Sequence, residues 1–254
     1  MYNGRTMTTS AYKPLGRKAY TSIGHLPGSR VGVGDHTICH GQAVICKRAR
    51  HNDTIIVQEK IDGSCVAVAR LGEQVLALGR AGWPCHSSSY FQHQMFHIWT
   101  CYHADRLREV LRPGERLVGE WCAQPHGTKY NFQGVEPFFA FDIMTEDKRL
   151  RFRDFTRRVK GIFNMPPLLY EQAGRGAGIA PDAAYALTKD TLRDVRVGPS
   201  EGVVYRVETD GEYNFIGKYV RWDYVAGLYF PERGAPQIWN WNLDDLTKPF
   251  TVLQ

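Results

Sequence analysis

The chain has no long apolar run. Its first thirty residues hold Arg5, Lys13, Arg17 and Lys18 and no sustained hydrophobic stretch, so they read neither as a signal peptide nor as a membrane-spanning helix. Cysteine is sparse. The six residues Cys39, Cys46, Cys65, Cys85, Cys101 and Cys122 show no C-x-x-C spacing and have no histidine pair beside them at zinc spacing. They are read as reduced thiols scattered through an intracellular, cytoplasmic fold, a reading that also suits a phage- or virus-encoded protein. No internal repeat and no low-complexity tract is present. A P-loop is missing too: Gly174-Arg175-Gly176-Ala177-Gly178 lacks the strand-to-helix setting such a loop needs and reads as a surface loop.

What is present suits a folded protein with a sizeable core. The chain has 254 residues, 43% of them hydrophobic and 23% charged. A formal net charge of +6 suits a polyanionic partner without requiring one.

Strands are expected at about 54–60, 64–71 and 74–79, at Arg116–Cys122 and at Pro137–Met144, with a shorter one at Ala43-Val44-Ile45-Cys46. One long helix should start at a cap on Ser87 or Ser88 and end at Pro113-Gly114, with Phe91, Met95, Ile98, Tyr102, Leu107 and Val110 as its apolar face. Further helices are expected near Arg153–Phe163 and Asp182–Asp194. A hairpin should join Gly202–Glu208 to Tyr213–Arg221 through Thr209-Asp210-Gly211. Helices without a regular βαβ alternation indicate an α+β fold of mainly antiparallel sheets. The expected organisation is a leader over 1–53, a catalytic core over 54–221 and an extension over 222–254.

The most informative segment is Gln58-Glu59-Lys60-Ile61-Asp62-Gly63-Ser64. A lysine closes an apolar strand, an acid and a glycine follow, and a second apolar strand begins. This sets an amine at a strand end, beside a turn tight enough for a ligand to approach the backbone. It is a suitable place for a covalent lysine nucleophile. Alone, such a lysine is more often a solvated charge. Here it heads an ordered series: Lys60-x-Asp62-Gly63, Arg80, Gly119-Glu120, Phe139-Ala140-Phe141-Asp142, Glu201-Gly202-Val203-Val204 and Lys218.

This ordered set resembles the covalent nucleotidyltransferase superfamily of DNA ligases, RNA ligases and mRNA-capping enzymes, and within it the ATP-dependent RNA ligases. The resemblance runs from about Thr54 to Arg221. It implies a ligase adenylation-domain (ATP-grasp-like) fold and a lysyl-adenylate on Lys60. It also implies ATP with Mg²⁺ or Mn²⁺, and RNA 5′-phosphate and 3′-hydroxyl ends as substrates in RNA repair. Catalytic roles fall on Lys60, Lys218, Glu201 and Asp62, with Glu201 and Asp62 toward the metal. Nucleotide contacts fall on Glu59, Arg80, Glu120, Phe139, Phe141 and Arg221, with Phe141 favoured over Phe139 for stacking on adenine. Gly24-His25-Leu26-Pro27-Gly28-Ser29-Arg30 is similar to the leader of some stand-alone RNA-ligase-like proteins.

Elementary chemistry suits these residue types. An amine that attacks phosphorus must be neutral, whereas free lysine has a pKa of about 10.4. Nearby cations and a bound metal favour the neutral form. Lys218 would supply fixed positive charge, and a carboxylate at Glu120 suits ribose hydroxyls. The last motif departs from the family's paired lysines: Ile216-Gly217-Lys218-Tyr219-Val220-Arg221 holds one lysine and an arginine, which is not its equivalent. Only 33 residues follow Arg221 (254 − 221), too few for an OB-fold, so a minimal catalytic domain is expected, with any substrate clamp supplied by an accessory protein.

The alternatives are a DNA nick ligase, a capping-type guanylyltransferase, and a catalytically silent nucleic-acid-binding protein. Lys47, Arg48 and Arg50, with Arg149, Arg151, Arg153, Arg157 and Arg158, are candidates to track phosphates, each weighed against plain surface charge.

Overall fold

Ten strands in two five-stranded sheets carry the molecule, as seen in a computed structural model that describes residues 12–234, 236–248 and 250–253. Residues 1–11 of the expected leader, Arg5 among them, lie outside the described residues. The strands are β1 Gly24–His25, β2 Asp53–Lys60, β3 Ser64–Leu71, β4 Gln74–Gly79 and β5 Glu115–Trp121. They continue as β6 Phe138–Thr145, β7 Lys148–Arg149, β8 Leu168–Ala173, β9 Gly202–Thr209 and β10 Glu212–Val220. The first sheet runs β1-β10-β9-β2-β8 and the second β4-β3-β5-β6-β7. All of these pairings are antiparallel except β1 on β10. The helices α1 His40–Lys47, α2 Phe91–Tyr102, α3 Ala104–Val110, α4 Phe152–Val159 and α5 Pro181–Leu187 complete an α+β fold.

Side-chain alternation explains which face each strand buries. In β3, Val66 and Val68 enter the main core with Phe96, Trp99 and Leu107, while Ala67 and Ala69 turn to the opposite face with Tyr20 and Leu78. In the first sheet Ile55, Val57, Val203, Tyr205 and Val207 pack against Cys46 of α1 and Ala184 of α5. The extension is anchored as well: Trp241 is buried edge-on against Trp121, 5.5 Å between ring centroids.

Two expectations of local structure are corrected. Ala43–Cys46 forms a helical stretch, not a strand, because the Cys39 amide is capped by Gln42 Oε1 at 3.1 Å and only Ala43 and Cys46 are buried. The long helix is two, broken at His103. Its buried face is Met95, Phe96, Trp99, Leu107 and Val110, whereas Phe91, Ile98 and Tyr102 are exposed. The expected face followed apolar identity, and the true stripe also includes Gln92 and Thr100.

The sheets are locked together by charge. Asp142 on β6 is fully buried and accepts from Arg206 of β9 at 3.2 Å and from Arg149 of β7. Arg206 also donates to Glu208 Oε1 at 2.9 Å. Among the expected phosphate-tracking residues, Arg149 is thus spent inside the fold. Arg50, Arg151, Arg157 and Arg158 are paired with Asp53, Glu212, Asp154 and Glu115. Replacing Asp142 with Ala leaves the Arg149 guanidinium without its carboxylate and Arg206 with Glu208 alone, so the charge link between the sheets is lost. We expect a stability loss of about 3–5 kcal/mol, read as a lower urea midpoint.

Candidate active site

The chain crosses from the first sheet to the second through Ile61-Asp62-Gly63, so Lys60 ends one sheet where the other begins. Glycine is required at this crossover: a Cβ on Gly63 would lie 2.6 Å from the Trp121 carbonyl oxygen. The same holds opposite. Gly202 pairs with both Lys60 and Val220, and a Cβ there would meet the Tyr219 carbonyl at 1.8 Å. The two bare backbones bring Glu201 beside the strand end, and Lys60 Nζ donates to Glu201 Oε2 at 2.7 Å.

Lys60, Asp62, Arg80, Glu120, Phe141, Glu201 and Lys218 all line one cavity of about 1180 Å³. The sequence spreads them over 159 positions (218 − 60 + 1), and the fold gathers them between the sheets. Glu120 on β5 is half-buried and its Oε1 accepts the Gly63 amide at 3.2 Å. Burial and the nearby Asp62 carboxylate push Glu120 up to about 7, against the pull of Lys60. Burial likewise pushes Glu201 up to about 8, opposed by Lys60 and reinforced by Asp62 and Glu120. Burial disfavours the Lys60 charge, but Glu201, Glu120 and Asp62 together outweigh it and hold the ammonium above lysine's ordinary range. The surrounding protein groups therefore keep this amine charged, the reverse of the expectation that neighbouring cations favour its neutral form.

Asp62 does not project as a free ligand. Its Oδ2 accepts the amides of Gly127 at 2.8 Å and Thr128 at 2.5 Å, and its Oδ1 accepts the Tyr224 hydroxyl at 2.8 Å. It is 3% exposed, and it ties the Lys60 turn to the 127–128 loop and to the C-terminal extension. Glu59 borders the cavity, but alternation along β2 turns its carboxylate away from the Lys60 amine, to Arg196 and Thr191. Arg221 does not line the cavity. Three residues past Lys218, it faces the other way, donating to the Ser200 carbonyl at 3.0 Å and pairing with Asp223 at 2.7 Å.

Phe139 and Phe141 do not share a face. Gly119 pairs with Ala140 and Val118 with Asp142, so Phe141 is the extra residue of a β-bulge. The bulge sends Phe139 into the core with Phe132 and leaves Phe141 on the cavity wall, edge-on to Tyr20 at 5.3 Å. Arg80, just past β4, is exposed at the rim, where its carbonyl accepts the Ala19 and Tyr20 amides at 3.0 and 3.2 Å. Reading the sequence missed His25, Asp35, His93, His126 and Tyr224, all of which line the cavity. Only His25 lay in a segment singled out there.

A family model described as RNA ligase matches residues 53–220, roughly two thirds of the chain. The chain belongs to the RNA ligase family. No curated protein sequence matches it. Among solved structures it is similar to Naegleria gruberi RNA ligase in several forms. A lysine-to-alanine mutant of that enzyme with ATP and Mn has 18% identity and a TM-score of 0.47, over 80% of this chain and 61% of that one. The enzyme with PPi has 17% identity and a TM-score of 0.46, over 78% and 58%. A lysine-to-methionine mutant with AMP and Mn has 16% identity and a TM-score of 0.46, over 80% and 60%. The chain thus spans about three fifths of the length of these proteins.

The raised Glu120 pKa sets a sign for stability. Below about 4.5 the carboxyl is protonated folded or unfolded. Between there and about 7 only the folded state keeps the proton, so stability falls as pH rises through that window. Glu120→Gln should flatten this fall. The slope it removes is up to about 1.4 kcal/mol per pH unit, measured from urea midpoints at pH 5, 6 and 7.

Proposed function

We propose that the protein is an ATP-dependent RNA ligase working through a lysyl-adenylate on Lys60. The observation that carries this reading is the Lys60–Glu201 contact of 2.7 Å, set in a cavity that also holds Glu120, Arg80, Phe141 and Lys218. A strand-end amine with an acid of raised pKa at hydrogen-bond distance is a nucleophile with its proton acceptor in place. The Lys60 nitrogen attacks the α-phosphorus of ATP, the P–N bond forms, and the bond to pyrophosphate breaks. Glu201 takes the amine proton. Lys218 supplies positive charge across the cavity as negative charge builds on the phosphoryl oxygens. Phe141 offers its ring to the base, and Glu120 accepts from ribose hydroxyls. AMP then passes to an RNA 5′-phosphate, and a 3′-hydroxyl displaces it to seal the strand.

The donor chemistry also fits a hard divalent cation. Glu201 and Glu120 are oxygen donors whose pKa values are raised by burial first and then by neighbouring acids, so a hard cation would relieve both. Among the described residues no group of three or more His, Cys, Asp or Glu is arranged to hold a metal. Mg²⁺ or Mn²⁺ would instead be held by one or two carboxylates together with substrate phosphates. Glu201 is the principal candidate and Glu120 the second, because both Asp62 oxygens are taken. When bound, the ion would neutralise phosphate charge.

Incubation with α-labelled ATP and Mg²⁺ should leave label on the protein, and Lys60→Ala should leave none. Label retained by that variant excludes Lys60 as nucleophile. Glu201→Gln, which keeps the shape but cannot take the proton, should slow labelling at least about 100-fold. Acceptor panels of nicked and single-stranded RNA and DNA then separate RNA sealing from DNA sealing, and GTP in place of ATP tests for guanylyl transfer.

A further inference from the structure

We propose that Asp35 is a positioning residue for Lys218, and that the leader segment Gly24–Asp35 forms one wall of the active site. The proposal rests on the adenylation reading of Lys60 and Lys218. The family match begins at residue 53, so it assigns nothing to this segment.

The leader is fastened to Lys218 itself. β1 lies parallel to β10 with Gly24 opposite Gly217 and His25 opposite Lys218, and the Leu26 amide donates to the Lys218 carbonyl at 2.8 Å. Residues directly opposite in a sheet project from the same face, so the His25 ring stands beside the Lys218 stem. That ring is 2% exposed. Its Nδ1 lies 2.7 Å from Ser29 Oγ and its Nε2 lies 3.0 Å from Asp35 Oδ2. Ser29 Oγ in turn accepts the Val220 amide at 2.9 Å, and Arg30 N donates to the Val220 carbonyl at 2.9 Å. The Gly32 amide donates to Asp35 Oδ2 at 3.1 Å. Asp35 is therefore aimed by His25 and the Gly32 turn, and its other oxygen, Oδ1, lies 3.7 Å from Lys218 Nζ.

The electrostatics explain why Lys218 needs this partner. Burial lowers its pKa, and the Lys60 charge lowers it further, while Asp35 and then Glu201 act against both. Arg80 adds repulsion from the rim. Burial first and then the Lys218 charge lower the His25 pKa, against the pull of Asp35, which is the carboxylate on the leader side. A lysine is a point charge on a flexible four-carbon stem. Without Asp35 the ammonium is opposed by Lys60 and Arg80 and retains Glu201 alone, on the far side. A lost constraint of this kind should appear in kcat, because Lys218 acts where charge builds during transfer.

Two measurements test the proposal. The first is self-adenylation with labelled ATP, comparing the parent, Asp35→Asn and Asp35→Glu. We expect kcat to fall about tenfold in Asp35→Asn with KM for ATP changed less than about twofold, melting temperature retained, and most of the rate restored in Asp35→Glu. The second needs no turnover. Lysines are labelled by reductive ¹³C-methylation, and the Lys218 resonance is assigned by its loss in Lys218→Arg. The groups facing that amine are Lys60 on β2, Glu201 before β9, Arg80 after β4, and His25 and Asp35 of the leader. Lys218 should titrate at lower pH in Asp35→Asn than in the parent. An unmoved titration overturns the brace whatever the rates. A moved titration with unchanged kcat, or equal loss in the Asn and Glu variants, overturns its part in catalysis. A parent protein that takes no label from ATP sinks the adenylation reading, while the titration still decides the brace.

Discussion

One ammonium is shared among three carboxylates at the seam between two sheets. Lys60 touches Glu201 directly, and Glu120 and Asp62 add to the field that holds its proton. The surplus of acid has two effects. It keeps the amine charged, and it adds to the burial that pushes both glutamates above the usual carboxylate range. A site so disposed gains when extra positive charge enters, because each added cation relieves repulsion among the acids and weakens the hold on the amine proton. The resting arrangement is therefore a charge trap.

The backbone makes that proximity possible. Gly63 passes the Trp121 carbonyl, and Gly202 passes the Tyr219 carbonyl, at separations no side chain tolerates. Each glycine is next to a functional acid or turn, so the motif pairs Asp62-Gly63 and Glu201-Gly202 have a steric reason. The ionic lock at Asp142 keeps the sheets in register behind the site. The Asp62 carboxylate, held by loop amides and Tyr224, fixes the turn that presents Lys60.

Much of this was legible from the amino-acid order. The strands around Lys60 and the final hairpin follow from period-two patterning and from turn residues, which are local signals. Eight of the ten expected site residues border one cavity. The errors share a cause as well. Phe139 and Glu59 depended on which face a side chain takes. A bulge at Phe141 reset the alternation for the one, and an ion pair with Arg196 claimed the other. Arg221 was placed among the nucleotide contacts by its spacing along the chain, whereas the structure turns it to the Ser200 carbonyl and Asp223. Asp62 was assigned a ligand's role from its neighbours in sequence, though its partners at 127–128 and 224 come from distant segments that no local pattern names. Ala43–Cys46 has strand-like composition, but a cap on Cys39 and burial of one side made it a helix.

The parallel pairing of β1 with β10 joins positions 24–25 to 217–218. Few contacts in a chain of this length span so much of it, and closing such a long loop carries an entropic cost that must be met before the contact gives anything back. During synthesis the early segment emerges long before the strand it needs has been made. The strand that carries Glu120 can find its sheet first, but Lys60 pairs with Gly202, so its end of the cavity closes only when the hairpin of β9 and β10 docks. A nascent polypeptide therefore holds Lys60 and the early segment apart until residues 202–218 have been made, so assembly of the cavity waits on the last two strands of its sheet.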